Sequence, residues 1–116
     1  MKNKIIAVPQ DELLESIEML DSYREICYLH LKEEVSQKDI GTVLIEDLCE
    51  FYAGCTRIKE MMIQTMTKIV DLEGAKIPEN TIAVNDLDYL TITELLIGIL
   101  NLESGLIAQN ISLKKH

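Results

Sequence analysis

Residues 42–72 read TVLIEDLCEFYAGCTRIKEMMIQTMTKIVDL. Within them Leu44, Leu48, Phe51, Cys55, Ile58, Met62, Thr65, Ile69 and Leu72 follow one another at alternating steps of four and three. That period holds side chains on one face of an α-helix, and only Thr65 interrupts its apolar character. The spacing predicts one long helix over 42–72. Gly54 lies off the seam, so the helix is expected to run through it. Glu73-Gly74 is the expected stop, because glycine is the usual residue just past a helix end.

The same spacing recurs towards the N-terminus. Leu13, Ile17, Leu20, Arg24, Cys27 and Leu31 make one seam, and Met19, Tyr23, Ile26 and His30 make a second beside it. A helix with two adjacent seams touches two neighbours. It is expected from Pro9, which suits a first turn, to about Val35, with Asp11, Glu12 and Glu15 where the helix dipole favours acids. Ser36 to Gly41 reads as the break. Towards the C-terminus, Lys76 to Asp88 is irregular, with turn signals at Pro78 and Asn80 and a short extended piece at Thr81 to Val84. Thr91-Ile92-Thr93-Glu94 has the form of a capping box ahead of an apolar run. The third helix then carries Leu95, Leu96, Ile99, Leu102, Leu106 and Ile107, with Ile97, Leu100 and Ile111 on other sides, before a basic tail from Leu113 to His116.

These readings combine into an all-α fold. It is a single domain over residues 1–116, a small bundle of two long antiparallel helices and a third apolar helix, with an irregular connection around 74–90. A third helix apolar on most sides needs cover that a three-helix monomer does not give. A homodimer is therefore expected, with Arg24, Leu96, Ile97, Leu100, Ile107 and Ile111 at its interface. Arg24 would pair with a carboxylate on a facing helix, or across the dimer, and fix register.

The chain has 11 Lys+Arg against 20 Asp+Glu, a net charge of -9. Residues 11–50 hold twelve of the carboxylates and three basic residues, so this segment carries the whole imbalance. Such a charge argues against direct contact with nucleic acid or an anionic membrane, both of which need a basic face. Asp11, Glu15, Glu18 and Glu25 lie three to seven residues apart along one stripe of the first helix. Like charges at one-turn spacing repel by a few tenths of a kcal/mol per pair. Folding does not call for that stripe, and it suits a basic partner. Glu46 and Glu50 extend the set of carboxylates expected to meet that partner.

Catalytic and metal chemistry find little footing. Cys27 and Cys55 lie on seams as small hydrophobes, and Cys49 has no histidine near it in sequence to activate it. His30 and Glu33 are three apart, but helical metal sites draw such pairs from at least two helices, and the one other histidine is His116. The five glycines are isolated, so no phosphate loop is present. No metal or cofactor is expected. Arg24 and His30, with five residues between them, resemble the Arg-x(4–6)-His pair of small helical ribonucleases of the HEPN class. That resemblance implies RNA cleavage, with His30 in proton transfer and Arg24 on phosphate charge. Glu25 supplies the polar residue that usually follows the arginine, whereas that family places the motif on a late helix and here it is on the first.

Three cysteines without a Cys-x-x-Cys pair indicate a reducing cytoplasm. Ile5 to Val8 is too short for a signal-peptide core. The near-apolar run Leu95 to Leu102 is well short of the roughly 20 residues that span a membrane. The sequence thus reads as a small acidic, non-enzymatic protein-binding protein, an inhibitor or adaptor that covers a basic surface. Its Lys/Ile/Glu/Asn-rich composition suits a low-GC bacterium, or a phage or mobile element of one. The alternatives are the ribonuclease and a structural subunit of a larger helical assembly.

Overall fold

The computed structural model describes residues 4–36, 42–68, 70, 72, 74, 76–109, 111 and 113. Among them the order is β1 (Ile5–Pro9), α1 (Gln10–Ser36), α2 (Thr42–Thr67), β2 (Thr81–Asn85) and α3 (Asp86–Ala108). The all-α reading holds, with one small two-stranded sheet added to it.

The α2 seam is the centre of the core. Leu48, Phe51, Cys55, Ile58, Met62 and Thr65 are all buried. α1 answers with Leu20 and Cys27, and α3 with Ile92, Ile99 and Leu106. Contacts fix the directions. Asp21, Arg24 and Cys27 of α1 meet Lys59, Tyr52 and Leu48 of α2 in turn. Residue numbers rise on one helix as they fall on the other, so α1 and α2 are antiparallel. Asp88 and Gln109 meet Lys68 and Asp47, so α3 is also antiparallel to α2.

Gly54 has a packing role. A Cβ there would lie 2.6 Å from Ile99 Cδ1, so the absent side chain lets α3 close on α2. The helix continues through it, as its off-seam position predicts.

Four boundaries differ from the sequence reading. Pro9 closes β1 and does not open α1; at the end of a two-stranded sheet its missing N–H costs little. β1 pairs antiparallel with β2, Ile6 opposite Val84 and Val8 opposite Ile82. This apolar face packs with Leu13, Met66 and Tyr89 in a second small core. α2 ends at Thr67, five residues before Leu72, so Gly74, at φ 84, lies beyond the helix and is not its cap. α3 starts at Asp86, with the Asn85 side chain accepting from the Leu87 N–H. Thr91 and Thr93 are inside the helix, their hydroxyls donating to the Leu87 and Tyr89 carbonyls one turn back. Finally, Leu113, assigned to a basic tail, is buried in the main core. The expected break at 36–41 lies almost wholly outside the described residues.

The molecule is elongated, 61 × 31 × 20 Å, with a radius of gyration of 17.3 Å. A compact chain of this length would give about 13 Å.

Candidate functional site

The carboxylates of α1 fall into two groups. On the edge towards α2, Asp21 accepts from Lys59 at 2.7 Å and from Arg24 at 3.4 Å. At the helix start, Glu12 accepts from the Tyr89 hydroxyl at 2.8 Å and ties α1 to α3. These acids hold the fold. Asp11, Glu15 and Glu18 point away from the core and are exposed, with no ion-pair partner among the described residues. Glu25 is exposed too. Glu46 and Glu50 are exposed on α2. Glu50, however, borders a groove between α2 and α3, while Glu25 borders a depression with Tyr28 and Tyr52 between α1 and α2. Glu25 and Glu50 therefore border different depressions.

Arg24 is half-buried. Its carboxylate partner is Asp21 of its own helix, not one on a facing helix, and its guanidinium lies 5.1 Å from the Tyr52 ring centroid. This stacking, worth about 0.5–2 kcal/mol, ties α1 to α2 within the chain, in place of the expected contact with a facing carboxylate. His30 is half-buried as well. Six positions along a helix turn a side chain by about 120° relative to the first, so Arg24 and His30 leave α1 in different directions.

The groove between α2 and α3 is about 500 Å³ in volume. Its floor is apolar (Gly54, Leu95, Ile99), and Glu50, Arg57 and Glu94 stand among its walls. Nothing in it combines a nucleophile with a base. Beside it runs the outer face of α3, where Leu90, Ile97, Leu100 and Ile107 are 45–54% exposed. Of the residues expected at an oligomer interface, Ile97, Leu100 and Ile107 are thus on the surface. Leu96 is half-buried against the core, and Ile111 is buried inside it. α3 is the one helix among the described residues long and apolar enough to cross a membrane by length and composition, and only 22% of its most apolar window is buried. The uninterrupted run 95–102 understated this, because the helix begins at Asp86.

One buried polar group escaped the sequence reading. Glu103 is only 8% exposed. It lies beside the Tyr23 hydroxyl of α1, and its Oε2 has no hydrogen-bond partner among the described residues. Burial, then the neighbouring Glu103 carboxylate, push the Tyr23 hydroxyl up to about 12. Burial also raises the Cys27 thiol to about 11 and the Cys55 thiol to about 12. Thiols held protonated in this way are packing groups and poor nucleophiles. The signal for Glu103 was available: it stands four residues after Ile99 and three before Leu106, on the buried line of α3.

Among the described residues, no group of three or more His, Cys, Asp or Glu is placed to hold a metal ion. No protein-family model matches this chain, and comparison with curated proteins and with solved structures gives no significant match.

Proposed function

We propose that this protein is a non-catalytic binding module whose outer α1 face covers a basic surface of a partner protein. The observation that carries the reading is the contrast within one helix. Asp21, 46% exposed, is paired with Lys59 and Arg24, whereas Asp11, Glu15 and Glu18 project outward without a counter-charge among the described residues. Neighbouring members of this row stand about 5–6 Å apart, a spacing that adjacent Arg and Lys side chains can meet. Uncompensated charge of one sign speeds encounter with an opposite partner and blocks wrong ones. The three free thiols suit a reducing, cytoplasmic setting.

The test is capture of partners from a lysate of the source cell by the wild type and by a Glu15→Lys/Glu18→Lys variant. A basic protein retained by the wild type and lost by the variant is the expected result. Equal retention by both would sink the proposal. Both substitutions are at exposed positions, so helical content should not change.

A further inference from the structure

We propose that the solvent face of α3 seats the α3 of a second copy of this chain, antiparallel, about a two-fold axis beside residues 98 and 99. Leu90, Ile97, Leu100 and Ile107 are spaced seven, three and seven apart, and Thr93 and Ser104 fill the two gaps of the same heptad seam. The order of this seam is the same from either end. An antiparallel copy sets Leu90 against Ile107, Ile97 against Leu100, and Thr93 against Ser104. Apolar positions meet apolar ones and hydroxyls meet hydroxyls. A two-fold interface requires such self-complementarity.

Charge selects the occupant. Residues 86–108 contain no Lys or Arg, and from 95 to 108 the one charged residue is Glu103, which is buried. A basic partner finds no exposed carboxylate along that stretch. A helix lying on an anionic membrane ordinarily carries Lys and Arg on its polar face, and α3 has neither. Two copies of a chain of net charge -9 repel over most of their surfaces. The six seam positions themselves carry no charge to desolvate. Charge also selects the orientation. Asp86, Asp88 and Glu94 all stand in the N-terminal half of α3. A parallel pair would bring both sets together. An antiparallel pair sets each beside a neutral half and aligns the helix dipoles favourably.

The elongated monomer, 17.3 Å in radius of gyration, leaves this face open. A contact made by one helix of 23 residues, about 34 Å long, is a small interface, so dimerisation in the micromolar range follows.

Sedimentation equilibrium of the full chain between ~1 and ~100 µM tests the proposal. The mass should rise from 13.2 kDa towards twice that value. Ile97→Asp enters a symmetric interface twice and should weaken the dimer by more than about 100-fold at unchanged helical circular dichroism. Orientation is read separately, in a Cys49→Ser background. A mixture of Thr93→Cys and Ser104→Cys chains should form the mixed disulfide on oxidation. Ser104→Cys alone should not, because its two copies lie about 16 Å apart along the axis, beyond disulfide reach. A chain that stays monomeric at the highest concentration overturns the proposal. So does self-cross-linking of Ser104→Cys, or flotation of the wild type with phosphatidylcholine/phosphatidylglycerol vesicles in place of dimerisation.

Discussion

The contact between Gly54 and Ile99 gives a prediction whose sign can be worked from the structure. Gly54 lies in the interior of α2, where replacement by alanine should stabilise a helix by about 1 kcal/mol. The new Cβ, however, would stand 2.6 Å from Ile99 Cδ1, closer than two carbons can approach. Ile99 is buried and must turn its terminal methyl aside. An off-rotamer side chain costs about 0.5–1.5 kcal/mol, and general overpacking of a core about 1–3. For Gly54→Ala alone the two effects oppose, and the net change lies between about 0.5 kcal/mol of stabilisation and about 2 kcal/mol of destabilisation. Ile99→Val removes the methyl that clashes and by itself costs about 0.5–1.5 kcal/mol. In that background Gly54→Ala should recover its full helical gain of about 1 kcal/mol. The double-mutant cycle should therefore show a favourable coupling of about 0.5–3 kcal/mol. Urea unfolding followed by circular dichroism at 222 nm measures all four proteins. Additive effects, with Gly54→Ala equally stabilising in both backgrounds, would refute the close approach of α2 and α3.

Two further predictions concern the fold. Asn85→Ala should destabilise by about 1 kcal/mol through loss of the α3 cap, while Thr91→Ala, inside the helix, should change stability by less than about 0.5 kcal/mol; the reverse order in urea midpoints would restore the later helix start. Stability should also fall in alkali. Cys27, Cys55 and Tyr23 have raised values, so between about 9 and 12 the unfolded chain releases protons that the folded one retains, and unfolding becomes easier as pH rises. The loss should reach about 1–2 kcal/mol per cysteine near pH 10.5, and a Cys27→Ala/Cys55→Ala variant should show a visibly flatter profile.

Sequence periodicity was enough for the core and failed at the ends of elements. The α2 seam was legible because each buried position from Leu48 to Thr65 obeys one period. Its end at Thr67 was not, since the apolar spacing continues to Leu72 and neither glycine nor proline intervenes. β1 has five residues, and its strand character depends on a partner, β2, far along the chain. Local reading cannot supply that partner. Thr91–Glu94 imitated a helix start, although Asn85 followed by Asp86 and Asp88 supplies the operative cap and first-turn acids. The surfaces were partly legible. Exposure of Asp11, Glu15 and Glu18 follows from their position opposite the seam, as does exposure of Ile97 and Leu100 from theirs on α3. The burial of Ile111, and the turn of Arg24 towards Tyr52, depend on how the chain closes on itself.

The measurement that bears most directly on the central claim is the affinity for a captured basic partner as a function of salt. It should be made by titration calorimetry with the wild type and with a Glu15→Gln/Glu18→Gln variant. If α1 binds through its outer carboxylates, affinity falls steeply as salt rises from ~50 to ~500 mM. The neutralised variant then binds more weakly at low salt and shows a shallower dependence. Identical salt curves for the two proteins would contradict the account.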